Sequence, residues 1–343
     1  MNPNDMTPDE MMPVDAMLGM VSGFWTSRAI YVAAKLGLAD LLYERPRTAI
    51  ELAEATGMHA SSLRRVLRAL ASVGVLAERE EGRFDLTPVG ATLRTGVPGS
   101  LRAFVASELG EGHYQAWGEL LHSVKTGEIA FDHVYGMPVW EYYAGHPELA
   151  QTFNESMTCL TKVVEPAVLE SYDFSNFKNL VDVGGGHASL LSAVLKRHAQ
   201  VRGVLFDAPG VVEGARRRVT EENLAERCEV RGGDFFTSVP EGGDAYMMKH
   251  IIHDWDDERA VSILKNCRRA MKDGGKLLVI DQVIPEGDEF SIGKLTDLIM
   301  MVMVGGRERT AAEFKALLAA AGFKLTRIVP TPSHVCIIEG EKA

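Results

Sequence analysis

Apolar residues between Ala16 and Leu42 recur at helical spacing, at Met17, Met20, Val21, Phe24, Trp25, Ile30, Ala33, Leu36, Leu38, Leu41 and Leu42. A stripe this wide predicts one or two helices that need a partner surface. Thr48 stands three residues before Glu51, the spacing of a capping box, and Gly57 closes the short helix that follows. A second helix starts near Ser61 and carries Leu63, Val66, Leu67, Leu70 and Val73 on one face. Two short alternating segments then flank a glycine turn, over 74–78 and 80–88. Helix, turn, helix and hairpin in that order predict a winged helix. From Leu101 to about Tyr172 the pattern is mostly helical and holds Trp117, Trp140, Tyr142, Tyr143 and Phe153.

At Asn179 the period changes. Strand-like runs at Asn179–Val183, Val201–Phe206, Cys228–Arg231, Ala245–Met248 and Lys276–Ile280 alternate with helical runs at Ser189–His198, Val211–Val219, Asp256–Met271 and Ala311–Ala321. Such alternation predicts an α/β domain, Rossmann-like, with a parallel sheet covered by helices on both faces. Lys324 to Glu339 reads as a strand pair added at the sheet edge. The expected divisions are a leader over 1–15, an all-α/winged-helix dimerisation domain over 16–100, a helical linker or substrate cap over 101–175, and a catalytic domain over 176–343.

Composition narrows the function. The net charge of −11 argues against a chain that lives on nucleic acid or on an anionic membrane. A winged helix can serve a regulator, and Arg64, Arg65 and Arg68 lie on its second helix. Over residues 1–110, however, 11 Lys+Arg stand against 13 Asp+Glu, a balance of −2 where a DNA module is usually basic. Cys159, Cys228, Cys267 and Cys336 show neither zinc-ligand nor disulfide spacing, as expected of reduced thiols in a cytoplasm. The longest strongly apolar run, Leu298–Val304, is about a third of the roughly 20 residues that span a bilayer.

The first strand of the α/β region runs into Asp182-Val-Gly-Gly-Gly-His-Ala-Ser, and a helix follows. Glycines at such a turn, Gly184 and Gly186 among them, let a ligand approach the backbone, and the helix start offers free N–H groups. Asp207 ends the second strand, 23 residues past Gly184, where doubly wound folds hold a ribose diol with a carboxylate. A dinucleotide fingerprint would place its third glycine where Ser189 stands, which turns the reading from hydride transfer to methyl transfer. Asp234, in Arg231-Gly-Gly-Asp-Phe-Phe, suits an adenine amino group with Phe235 covering the ring; equally, an Asp there can simply form a turn.

The series LVDVGGGHASLL, GVLFDAPGVV, RGGDFF, MMKHIIHDWDDE, DGGKLLVIDQVIPE and GGRERTAAEFKALLAAAGF resembles the small-molecule O-methyltransferases of the caffeate/acetylserotonin type, including bacterial enzymes that tailor natural products. The resemblance covers nearly the whole chain. It implies S-adenosylmethionine as methyl donor, no metal, a homodimer, and a hydroxylated aromatic acceptor. It implies His253 as general base flanked by Asp281 and Glu308, and cofactor contacts from Gly184, Gly186, Asp207, Asp234, Phe235 and Lys249. The family pattern Gly-Gly-Gly-x-Gly has glycine where this chain has Ala188.

The chemistry suits these residues. A phenol near pKa 10 is protonated at neutral pH, whereas an unperturbed histidine near 6.5 is mostly neutral and can take the proton. A neighbouring acid would fix its tautomer. His253 could instead cap a helix, and Glu308 could belong to a solvated helix start at Thr310. Trp140, Phe153, Met157, Met300, Met301 and Met303 are the expected substrate pocket, although methionines at helical spacing also read as ordinary core. A related protein that keeps the cofactor and runs another reaction is the remaining alternative.

Overall fold

The computed structural model of the chain describes residues 12–343. Most of the expected leader, 1–11, therefore lies outside the described residues, while Pro13 to Asp15 already form the first turn of a helix. The chain divides into two compact units between Glu111 and Gly112.

In the N-terminal unit, α1 (Pro13–Leu36) ends where Gly37 turns left-handed at φ 65° and donates its N–H back to the last turn, and α2 (Leu38–Tyr43) follows at once. After β1 (Arg47–Thr48) comes α3 (Ala49–Thr56), which carries the complete Thr48–Glu51 capping box. Next come α4 (Ala60–Ser72), β2 (Leu76–Glu78) and β3 (Arg83–Leu86). The three strands form an antiparallel sheet in the order β1-β3-β2. Two residues are too short to show alternation, so β1 left no trace in the pattern. Leu38, Leu42, Leu52, Leu67, Leu70 and Phe84 are at most 1% exposed and form the core. Val73, placed on the buried face by its spacing, is instead the exposed cap of α4. Two further helices, α5 (Pro88–Ala91) and α6 (Arg102–Glu108), complete the unit.

The second unit starts with helices α7 (Glu111–Gly118), α8 (Leu120–Thr126), α9 (Ala130–Tyr135), α10 (Val139–Gly145) and the long α11 (Pro147–Ser171). Then β4 (Asn179–Val183), α12 (Ser189–Arg197), β5 (Arg202–Asp207), α13 (Val212–Glu221) and β6 (Cys228–Gly232) alternate. They are followed by β7 (Ala245–Lys249), α14 (Asp257–Ala270), β8 (Lys276–Asp281), α15 (Ile292–Met303), α16 (Ala311–Ala320), β9 (Phe323–Pro330) and β10 (Cys336–Lys342). The sheet order is β6-β5-β4-β7-β8-β10-β9, with β4 to β8 mutually parallel and β10 antiparallel to both neighbours.

The side-chain period of two divides the central strands between two layers. Leu180, Met247, Leu278 and Ile280 pack on one face, and Val181, Val183, Tyr246, Met248, Leu277 and Val279 on the other. The final strand pair is not simply appended. β10 bears the buried Ile337 and Ile338 and sits inside the sheet, while the more polar β9 takes the edge. Because β4 pairs with β5 on one side and β7 on the other, the loops after β4 and β7 diverge at the carboxyl ends of the strands, the switch point where open sheets bind ligands.

A buried polar knot ties α11 to this sheet. Tyr172, which caps α11, donates its hydroxyl to Glu339 Oε2 at 2.6 Å, Thr326 donates to Oε1 at 2.7 Å, and Arg327 donates to Oε2 at 2.9 Å. Burial pushes the Glu339 carboxyl up, but these three donors outweigh it and bring it down to about 2. The depressed value stabilises the fold above the unfolded pKa near 4.5, and that contribution is lost as pH falls toward 2. Tyr172→Phe is expected to lower stability by about 1.5–3 kcal/mol in urea denaturation at neutral pH, with a smaller loss at acidic pH; no change at neutral pH would show that the knot contributes nothing.

Candidate active site

The short glycine loop after β4 is shaped by what lies beneath it. Gly184 and Gly186 have φ of 71° and 57°. A Cβ on Gly185 would fall on the Asp182 carboxylate. Ala188 is also left-handed, at φ 60°, and fully buried. A conformation normally left to glycine costs about 1–2 kcal/mol with a methyl group. Asp207 closes the loop from β5: its Oδ2 accepts the Gly186 N–H at 2.7 Å and its Oδ1 the Ala208 N–H at 2.7 Å. Burial nevertheless holds its carboxyl above the usual range.

Asp182, Lys249 and Asp281 stand at the carboxyl ends of adjacent strands. Burial raises Asp182 to about 7, with Lys249 opposing and Asp207 adding to the shift. Burial lowers the Lys249 ammonium to about 8 against the pull of Asp281, Asp182 and Asp254.

His253 lies in a one-turn 3-10 helix, Ile252–Asp254, just past β7, and is 7% exposed. Its Nδ1 meets Glu308 Oε1 at 2.9 Å, while Asp281 Oδ1 is 3.9 Å away. Of the two expected acids, Glu308 therefore holds the ring and Asp281 acts through space. Glu308 is buried rather than part of a solvated helix start; the capping box at Thr310 and Glu313 begins two residues later. Gln282 Nε2 donates to the same Glu308 oxygen at 3.3 Å, and Asp297 accepts the Glu308 N–H at 2.8 Å. Asp254 is a third acid, its Oδ1 3.5 Å from His253 Nε2.

Burial disfavours the imidazolium, yet Asp281, Glu308 and Asp254 together raise His253 to about 10. The neutral resting histidine expected from its unperturbed value is thus corrected: His253 carries a proton at neutral pH. Burial in turn raises Asp281 to about 7 and Asp254 to about 6.

Arg309 escaped the sequence reading. It is 1% exposed, donates through Nη1 to Ile252 O at 3.1 Å and through Nη2 to Trp255 O at 2.9 Å, and pairs with Asp257 at 2.8 Å. The guanidinium thus grips the backbone on both sides of His253. Arg307 donates its N–H to His253 O at 2.8 Å, and a Cβ on Gly306 would collide with that carbonyl. These contacts join residues more than 50 positions apart, so no local pattern announces them.

The other expected residues are distributed as follows. Asp234 follows β6, is exposed, and accepts from Phe236 N at 2.9 Å and Thr237 Oγ1 at 3.0 Å, which is the turn-forming arrangement. Phe235 lies edge-on to Trp255, ring centroids 6.0 Å apart. Trp140 and Phe153 meet edge to face at 5.6 Å, with Tyr143 stacked on Phe153 at 5.0 Å, and Met157 lies one turn further along α11. On α15, Met300 is 8% exposed and Met301 half-buried. Met303 packs with Phe131, Val139 and Val302 as ordinary core.

Two family models match the chain, an O-methyltransferase domain over residues 117–324 and an O-methyltransferase dimerisation domain over 18–96. The chain belongs to this O-methyltransferase family. It is 48% identical over 323 residues to the phenazine O-methyltransferase PhzM of Lysobacter antibioticus, covering 94% of each chain. The crystal structure of LaPhzM superposes with a TM-score of 0.94 at 46% identity, over 97% of this chain and all of that one. NcsB1, an O-methyltransferase from neocarzinostatin biosynthesis solved with S-adenosylmethionine and 2-hydroxy-5-methyl naphthoic acid, superposes with a TM-score of 0.82 at 36% identity, over 93% and 96%.

The chain is an S-adenosylmethionine-dependent O-methyltransferase of the class I fold with an N-terminal dimerisation domain. Its residues fit that cofactor: the glycine loop is open at Gly186, where a Cβ would meet nothing, and the Trp255 indole N–H is buried without a partner among the described residues. Among those residues no group of His, Cys, Asp or Glu is arranged to hold a metal ion, and no helix is long and apolar enough to cross a membrane.

The high pKa of His253 gives a direct check. By NMR, its ring signals are expected to stay those of an imidazolium through pH 8 in the ligand-free protein, and to titrate at a lower pH in Glu308→Gln, where Asp281 and Asp254 still raise the value. A parent titration centred near 6.5 would contradict the role given to the three acids. The raised value also stabilises the fold below pH 6.5, and that contribution fades as pH rises through about 10.

Proposed function

We propose that the protein methylates a hydroxyl of a small aromatic metabolite, phenolic, polyketide or phenazine-like, with His253 as general base. The observation that carries this reading is the 2.9 Å contact between His253 Nδ1 and Glu308. It keeps a proton on Nδ1, so the proton that the resting imidazolium gives up leaves from Nε2, and Nε2 then receives the proton of the acceptor. When bound, S-adenosylmethionine supplies a sulfonium methyl group for in-line displacement.

Gly184 and Gly186 cradle the donor along the loop, Asp207 grips its ribose, and Lys249 lies at the same carboxyl edge of the sheet. Asp234 and Phe235 take the adenine end, with the Asp234 turn setting the position of Phe235. Trp140, Phe153, Met157, Met300 and Met301 shape the wall for a flat acceptor, and Met303 backs that wall from the core. The phenazine in the name of one relative and the naphthoic acid bound to the other support a fused-ring acceptor.

Alignment is most of the protein's task, and proton removal is the rest. A base near pKa 10 matches a phenol near 10, so transfer to Nε2 is close to isoenergetic. Asp281, Asp254 and Glu308 stabilise the resulting imidazolium. The resting pair of protonated His253 and neutral phenol holds one proton too many, so for a simple phenol kcat/KM rises with pH through the neutral range.

The exposed Met17, Leu18, Met20 and Trp25 of α1, 58% to 73% accessible, form the apolar face that supports a homodimer. The free thiols of Cys159, Cys228, Cys267 and Cys336 suit a reducing cytoplasm.

Incubation with S-adenosylmethionine and a panel of hydroxyarenes, read by mass spectrometry, is expected to yield O-methylated product. With a simple phenol, His253→Ala should lose about 10²–10⁴ in kcat; failure of every hydroxylated acceptor would overturn the reading. In calorimetry with S-adenosylhomocysteine, Asp207→Ala should weaken binding at least about tenfold, the order expected when a charged hydrogen-bond partner is removed. Unchanged affinity would remove Asp207 from the ribose site.

A further inference from the structure

His250 stands at the carboxyl end of β7, three residues before His253, and has no place in the chemistry above. Its backbone is left-handed at φ 54°, a region that few residues besides glycine, asparagine, aspartate and histidine occupy readily. Its ring stacks on His253, centroids 5.2 Å apart and planes 19° apart, and also lies near-parallel to His334 at 6.1 Å. The next residue, Ile251, lies where a Cβ on Gly184 would be, so the segment that carries His250 runs against the glycine loop.

Its hydrogen bonding fixes the tautomer. Lys249 Nζ lies 3.1 Å from His250 Nδ1, and an ammonium can only donate. Nδ1 is therefore the acceptor and Nε2 carries the hydrogen. That Nε2–H is buried and has no partner among the described residues. Buried donors in folded proteins find acceptors, and an unmet one costs about 1–3 kcal/mol. Burial and the adjacent Lys249 hold the ring neutral, which keeps Nε2 a plain donor.

We propose that His250 selects the acceptor: its Nε2–H donates to an oxygen or nitrogen placed ortho or peri to the hydroxyl that meets His253. Adjacent heteroatoms on a fused aromatic lie roughly one hydrogen-bond length apart, a spacing that two stacked imidazoles can straddle, His253 taking the hydroxyl proton and His250 donating to the neighbouring atom. Hydroxyarenes with such a neighbouring acceptor atom are then preferred over those with a bare edge. This rests on the O-methyl transfer reading and names the substrate class for the same site.

The test compares 8-hydroxyquinoline with 1-naphthol, which share an outline and differ by the ring nitrogen beside the hydroxyl. Each is titrated by calorimetry, with chelator, into protein saturated with S-adenosylhomocysteine. The parent is expected to bind 8-hydroxyquinoline at least about tenfold tighter, as sites built around a hydrogen bond do. His250→Phe keeps the stack without the donor and should bring the ratio to within about twofold, leaving 1-naphthol and S-adenosylhomocysteine affinities unchanged. His250→Asn keeps a donor, tolerates the left-handed backbone, and should retain part of the preference. A parent ratio near one, or a ratio that survives in both variants while S-adenosylhomocysteine still binds, overturns the proposal. Methylated product is followed separately by mass spectrometry, so failed transfer with intact discrimination counts against the transfer reading alone.

Discussion

The carboxyl ends of the parallel strands gather acids in a region withdrawn from water, and the rest of the catalytic unit is arranged around that constraint. Asp182, Asp207, Asp254, Asp281 and Glu308 crowd there against two cations, Lys249 and His253. Isolated buried carboxylates would protonate or draw in water. Here the acids share the imidazolium and the ammonium, and Asp281 and Asp254 rise toward neutrality. The same imbalance that is unfavourable for the resting protein lifts His253 far above an ordinary histidine.

Such a cluster works only if its members cannot drift. Arg309 fixes the two carbonyls flanking His253, the bare Cα of Gly306 lets the opposing loop close on the His253 carbonyl, and Gln282 and Asp297 fix Glu308. The ring is therefore set from the backbone and from its own Nδ1 by different segments. A ring held this way has little freedom left to lose, the condition under which positioning becomes rate.

Much of this was legible along the chain, for physical reasons. Strands covered on both faces appear as unbroken apolar runs, and the two capping boxes at Thr48 and Thr310 mark helix starts by chemistry that is wholly local. His253, Asp281 and Glu308 came from a family resemblance, and the structure brings all three together. What stayed hidden was tertiary. Arg309 acts on partners more than 50 residues away, the proton on His253 depends on three acids from three segments, and the left-handed backbone of His250 has no sequence signature. Asp234 shows the converse: its local turn is evident in the structure, so any contact with the donor must be made together with that turn.

Ala188 narrows the routes by which this loop can change. Its left-handed backbone admits few side chains and its complete burial excludes larger ones. Glycine, one nucleotide change away, is the substitution both conditions permit. The loop is therefore held nearly fixed at this position, whereas the partly exposed aromatic side chains around Trp140 and Phe153 can be exchanged without disturbing the strands.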